Sequence, residues 1–288
     1  MIVPSKIEQG IAFFGIDEKY KENCFQCGEG INQNPEWSKS FQKVFDFLNF
    51  GDVNALKTVW DLNEMSQLFV EGIPPFVTNL MVVLGYETYQ KNMEKAGFNQ
   101  QQTEIHKQRI KSIFEQDYEI EKYGGIVFTN MSWAYYFIRM RVIEAGRLQY
   151  ENFDGKCIKL HIPGSVPSGE KFEKSVILKS LEASKEITEG MFHMKDAPYL
   201  CESWLLCRQI MEEVKKNSNL YEFYRLFDVT DGEDCLKDVL HYVFPGDNYD
   251  DYHALSENTR LQKMVKEKLL KGISFRLGMG TLVKERLL

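Results

Sequence analysis

Long apolar runs are missing from this chain of 288 residues. The longest uncharged stretches, 72–86 and 123–138, fall short of the roughly 20 apolar residues that a membrane helix needs. Each also carries Asn, Thr, Gly or Ser, so both read as buried helices. A basic surplus is missing as well. The 35 Lys and Arg stand against 42 Asp and Glu, a net charge of −7, which removes the electrostatic footprint of a general nucleic-acid binder. The opening residues lack a basic segment followed by an unbroken apolar one, so no secretory signal is read there. No simple repeat or Pro/Gly-rich tract occurs, and 43% apolar residues argue against a disordered chain. Six cysteines are too few for a disulfide scaffold at this length and read as cytoplasmic thiols. The expectation is a cytoplasmic protein with neither a membrane nor a nucleic-acid partner.

Several chemical motifs are absent too. There is no GxxxxGK[ST], no GxSxG and no HExxH. Cys24-Phe25-Gln26-Cys27 is a single CxxC pair with no second pair or nearby histidine to complete four zinc ligands, so no metal is expected. It lies in a helical region, not after a strand as a thioredoxin-type site requires. Gly278-Met279-Gly280 has neither a third glycine nor a following helix, and reads as a bulge or close backbone approach in a last strand.

What is present divides in two. Residues 1–125 show only helical patterns. Ser5 is placed to cap a helix through Phe14, and Pro35 opens another in which Trp37, Phe41, Val44, Phe45 and Leu48 recur at helical spacing until Gly51. Pro74-Pro75 starts an apolar helix towards Lys95, and Thr103 starts one reaching Tyr123. This half reads as a helical bundle. Gly124-Gly125 marks a break. Residues 1–125 hold 12 basic and 18 acidic side chains, and residues 126–288 hold 23 and 24, so the second half repels an anionic ligand less.

In that second half, Ser132 is placed to cap a helix through Ala145, ended by Gly146. Strand-like runs 147–153 and 156–162 flank Asp154-Gly155, a short-range hairpin signal. A helix over 172–190 follows, then a strand over 199–206, a helix over 208–214 and a strand over 220–229. Helices over 235–244 and 259–270 precede a last strand over 274–282. The fold class expected is α+β, a helical N-terminal bundle (1–125) followed by a mixed β-sheet domain flanked by helices (126–288).

Candidate chemistry gathers in that sheet. His161 ends a strand, where an imidazole can project into a cleft and titrate near neutrality as a general base; it can equally bond a neighbouring carbonyl. Cys201-Glu202-Ser203-Trp204 alternates, with Cys201 and Ser203 on one face. A Cys201/His161 acyl-enzyme can be drawn, though burial of a small cysteine in a core strand serves as well. Glu144, Arg147 and Tyr150 cluster at a helix-to-strand turn, where an end-capping ion pair explains them.

Five segments carry a family resemblance. They are Glu144-Ala145-Gly146-Arg147-Leu148-Gln149-Tyr150-Glu151, His161-Ile162-Pro163-Gly164, Cys201-Glu202-Ser203-Trp204-Leu205-Leu206, Ser218-Asn219-Leu220 with Phe223 and Phe227, and the tail from Asn258-Thr259 through Leu261-Gln262 to Gly278-Met279-Gly280. In this order they resemble the bacterial acyltransferase group with a helical N-terminal domain and a C-terminal domain like the GCN5-related N-acetyltransferase (GNAT) fold, over residues 125–283. The resemblance implies acyl transfer from acyl-coenzyme A, as co-substrate, to a small-molecule or peptide amine by direct attack. It implies two strands, here 199–206 and 220–229, that splay to admit the pantetheine arm, with Ser203, Trp204 and Leu205 beside it. The family's glycine loop for the pyrophosphate falls at Leu206-Cys207-Arg208-Gln209-Ile210, which has no glycine; Arg208 is the substitute charge. His161 is then the base or substrate-orienting group, Glu144 its competitor, and Asn219 or Tyr221 the group that binds the carbonyl or protonates the thiolate. The alternative is a catalytically inactive GNAT-like ligand-binding or interaction protein, for which the missing glycines argue.

Overall fold

The computed structural model describes residues 1–56, 76–122, 128–164, 166 and 169–287. They form two compact units: Met1–Glu144 with Ser165–Gly169, and Ala145–Gly164 with Glu170–Leu288.

The first unit is helical. Helix α1 (Pro4–Phe14) opens on its proline, whose missing N–H costs nothing there; Ser5 lies inside it, and the cap position, Val3, offers no side-chain bond. Helix α2 (Lys21–Gln33) buries Cys24 and Cys27 in the core, three residues apart on one face. Helix α3 (Pro35–Phe50) is capped by Asn34, whose Oδ1 accepts from the Glu36 and Trp37 amides, and it stops at Gly51. The expected single helix from Pro74-Pro75 begins outside the described residues. Within them it is two helices, α4 (Val77–Leu84) and α5 (Tyr86–Ala96), meeting at Gly85. A Cβ there would stand 3.0 Å from Ile138 Cδ1 and 3.1 Å from Tyr135 Oη.

Helix α6 (Gln100–Lys122) starts earlier than Thr103, because Asn99 and Gln102 exchange side chain-to-amide bonds of 2.9 and 3.2 Å. The Gly124-Gly125 break lies outside the described residues. Helix α7 (Phe128–Ile138) contains Ser132, which does not cap it but donates to the Leu56 carbonyl at 3.2 Å. Nor does that helix reach Ala145. Met140 takes a left-handed φ of 55°, and the β-branched Val142 and Ile143 then enter strand β1 (Val142–Ala145).

The second unit carries strands β2 (Leu148–Phe153), β3 (Cys157–His161), β4 (Tyr199–Ser203), β5 (Phe227–Asp234) and β6 (Arg276–Leu282). The six strands lie in the order β1-β2-β3-β4-β6-β5. The hairpin signal holds: β2 and β3 pair antiparallel around Asp154 and Gly155, at φ 55° and 67°. Helix α8 (Lys174–Glu186) connects β3 to β4. Leu148, Tyr150, Ile158, Leu160, Tyr199 and Cys201 pack with its Ile177 and Leu181 in one core. A second core joins α9 (Arg208–Met211), α11 (Leu236–Val243) and α12 (Arg260–Leu270) through Ile210, Val239, Val265 and Phe275.

Two expected strands are shorter or displaced. Residues 204–206 leave β4 as a single 3-10 turn, because the Ser203 hydroxyl accepts from the Leu205 amide at 3.1 Å. The run 220–229 begins as helix α10 (Asn219–Tyr224), capped by the Ser218 hydroxyl on the Tyr221 amide at 3.2 Å. Only from Phe227 is it extended. Gly278 and Gly280 are the close approach anticipated for them: a Cβ on Gly278 would run into the Leu206 carbonyl, and one on Gly280 would stand 2.7 Å from Leu206 Cδ1.

Candidate active site

Strands β3 and β4 run parallel, but their ladder is brief. The register holds for Ile158↔Tyr199 and Lys159↔Leu200 and then ends. Ile158 N–H bonds the Pro198 carbonyl at 2.9 Å, so by strand alternation the next link would join the Glu202 amide to the Leu160 carbonyl. That link does not form. The other edge of β4 stays zipped to β6 through Cys201↔Gly280, Glu202↔Met279 and Ser203↔Gly278. The β3–β4 pairing therefore stops before His161 and Glu202, a gap in the ladder with one backbone donor and one acceptor at its edge.

This corrects the sequence-based placement of the gap. The strands bearing Ser203 and Phe227 are not neighbours, since β6 lies between β4 and β5. The neighbouring pair whose ladder ends early is β3 and β4. The loop leading from the gap to a helix is accordingly the one after β3, and it does contain glycine: Gly164, and Gly169 at φ 69°. The sequence signal was Pro163-Gly164-Ser165-Val166-Pro167-Ser168-Gly169, although residues 165, 167 and 168 lie outside the described set.

Arg147, read from sequence only as an end-capping cation, anchors both limbs of that loop. It donates to the Pro163 carbonyl at 2.6 Å and lies 5.4 Å from the Phe172 ring centroid. The loop delivers the chain to the start of α8, where Glu173 makes no side-chain cap bond and Lys174 is the first helical residue. Uncapped N–H groups, the helix dipole and a lysine make a place suited to an anion. Lys174 also holds Glu222 of α10 at 3.0 Å.

The residues alternating with the α8-facing core project to the other face of the sheet. On that face His161 Nε2 is 2.8 Å from Glu151 Oε2, and Lys159 Nζ is 2.9 Å from Glu202 Oε2. The Glu151 carboxylate is only 6% exposed and the imidazole 31%. A half-exposed imidazole seated on a buried carboxylate at the edge of a gap is equipped to accept a proton.

The other candidates fall as follows. Glu144 belongs to the first unit, where its carboxylate is 1% exposed and 2.7 Å from Arg109 Nε. Its amide donates to His106 Nε2 at 3.0 Å, and burial, followed by the Arg109 charge, pushes the His106 imidazole down to about 3. Cys201 is fully buried, which pushes its thiol up to about 12 and removes the thiolate a nucleophile needs. Asn219 and Tyr221 stand on helix α10, not on a strand; Asn219 is exposed and Tyr221 half-buried. Ser203, Trp204 and Leu205 form the turn just beyond Glu202, the Leu205 amide being held by Ser203. The Trp204 ring stacks on Tyr242 at 5.8 Å. Arg208 is exposed and 3.7 Å from Asp231, on the opposite edge of β4 from the gap. Among the described residues no group of three His, Cys, Asp or Glu side chains could hold a metal ion, and no helix is long and apolar enough to cross a membrane.

Solved structures share this architecture. An acyltransferase mutant crystallised with octanoyl-CoA superposes with a TM-score of 0.71 at 17% identity, covering 96% of this chain and 87% of that one. An acyltransferase in complex with CoA and 10C-teicoplanin gives 0.70 at 17% identity, covering 94% and 85%. A third, in complex with decanoyl-CoA and teicoplanin, gives 0.67 at 18% identity over the same shares. At these identities the likeness is one of fold. No match is found among the curated proteins. The family described as the GNAT-like C-terminal domain matches residues 127–282, more than half of the chain, and the chain belongs to that family.

Proposed function

We propose that this protein transfers an acyl group from an acyl-coenzyme A to an amine by direct attack. The observation that carries the reading is the parting of β3 and β4 immediately after Lys159↔Leu200, beside His161. A pantetheine arm has amide groups that match the Leu160 carbonyl and the Glu202 amide, which the β3–β4 ladder does not join, and lying there it continues the sheet. Its pyrophosphate then meets the start of α8 and Lys174. The similar folds crystallised with CoA, octanoyl-CoA and decanoyl-CoA support this donor, and those crystallised with teicoplanins support a peptide-like or small-molecule amine as acceptor.

His161 takes the proton from the amine as its nitrogen bonds the thioester carbonyl carbon. The C–S bond then breaks and the thiolate leaves. Holding amine and thioester together in the gap supplies much of the rate by proximity. Ser203 and Trp204 line the mouth on the donor side, while Asn219 and Tyr221 are the groups offered to the carbonyl and the departing thiolate. Glu144, enclosed with Arg109, serves the fold of its own unit.

Two measurements test this. Calorimetry with desulfo-coenzyme A is expected to show binding that His161→Gln leaves intact, while the variant's kcat with octanoyl-CoA falls by roughly 10²- to 10⁴-fold. Trapping an acyl group covalently on Cys201 would overturn direct transfer. Binding without thioester loss across an amine panel would identify a ligand-binding protein instead.

A further inference from the structure

We propose that Glu151 is a positioning residue for this reaction: it fixes the His161 ring with Nε2 protonated, so that Nδ1 is the nitrogen that takes the proton from the attacking amine. The inference rests on His161 as base and adds which atom reacts and what holds it.

The strand register shows that this contact is not the default one. Glu151 lies directly opposite Lys159, and His161 lies opposite Gln149. The ordinary outcome would be a Glu151–Lys159 cross-strand ion pair. Instead Lys159 turns away, with Nζ 2.9 Å from Glu202 and 4.0 Å from the Phe153 ring centroid. Glu151 reaches diagonally to His161 Nε2 at 2.8 Å. Both interactions converge on the residues that flank the gap.

Chemistry then sets the tautomer. An ionised carboxylate only accepts hydrogen bonds, so the Nε2 facing Glu151 must carry the proton. The lone pair of the neutral ring is on Nδ1. As the amine attacks, its N–H bond breaks, the proton moves to Nδ1 and the new N–C bond forms. The imidazolium is balanced by the buried Glu151 carboxylate. The C–S bond breaks, and the thiolate recovers a proton from the imidazolium, returning His161 to its starting state with no further reactant.

A double-mutant cycle tests this. Glu151→Met is expected to lower kcat by roughly 10- to 100-fold, a part of what a general base supplies. KM for the amine and for octanoyl-CoA is expected to stay within about twofold. Glu151→Gln, whose amide oxygen still accepts from Nε2, is expected to recover much of that loss. In a His161→Gln background, Glu151→Met is expected to change kcat less than twofold, because it acts through the ring. Losses that multiply would overturn the proposal and mark Glu151 as structural. The ring ¹⁵N spectrum of the wild-type protein needs no turnover: protonated Nε2 supports the assignment and protonated Nδ1 refutes it. Wild-type kcat in His161→Gln would instead overturn the base reading itself, and with it Nδ1 as reacting atom, whatever the spectrum shows.

Discussion

Two carboxylates a few residues apart, Glu144 and Glu151, have opposite environments. Glu144 is sealed in the helical unit against Arg109, and its amide is spent on a neutral buried histidine. Glu151 is nearly as buried, but its partner His161 stays in reach of solvent at the edge of a gap. Both are carboxylates beside a nitrogen group, a guanidinium in one case and an imidazole in the other. In the proposed reaction the first pair is closed to a visiting molecule and the second exchanges a proton with it. Access of the partner, not burial of the acid, separates structure from chemistry here.

The largest expected effect breaks the sealed pair. Arg109→Met removes the guanidinium 2.7 Å from the buried Glu144 carboxylate, which is expected to cost about 3–5 kcal/mol in urea unfolding. Arg109→Met with Glu144→Leu is expected to recover most of it. Glu151→Met should show the reverse pattern, with a small change in unfolding and a large one in kcat.

The second prediction uses the histidine of the sealed site. His106 is held down to about 3 when folded, against an ordinary value near 6.5 when unfolded. Between these values the unfolded chain binds the extra proton, so folding stability is whole above about pH 6.5 and falls as the pH drops towards 3. The slope approaches about 1.4 kcal/mol per pH unit. His106→Gln, which keeps an acceptor for the Glu144 amide, is expected to flatten that slope in unfolding measured across this range.

Gly278→Ala tests the turn at the exit of β4. The added methyl meets the Leu206 carbonyl, and an expected cost of about 1–3 kcal/mol would appear in the same unfolding assay, with weaker desulfo-coenzyme A binding because the turn moves. Smallest of all, Lys159→Ala removes a partly exposed ion pair and is expected to cost about 0–1 kcal/mol.

Much of this was legible before any coordinates. The α+β class, the Asp154-Gly155 hairpin, the helix from Pro35 to Gly51 and the two crowded glycines of β6 follow from turn chemistry and spacing. The strands expected to part, 199–206 and 220–229, are not neighbours. Position along a sheet depends on strand order, and nothing local in 199–206 or 220–229 reveals that β6 inserts between them. Leu220 to Tyr224 carries strand-like aromatics, yet a serine cap at Ser218 turned it helical. Glu151 carries no local signal, because its partner is diagonal across a hairpin, a relation that exists only once the register is known. Arg147 was noticed at its turn, but its hold on Pro163 and Phe172 joins residues far apart in the chain.

The central claim is that the donor's arm occupies the gap between β3 and β4. Amide hydrogen exchange resolved at Glu202, with and without desulfo-coenzyme A, tests it most directly. This N–H, without a partner on β3, is expected to slow markedly when the ligand binds. An unchanged Glu202, with protection appearing along β5 instead, would contradict it.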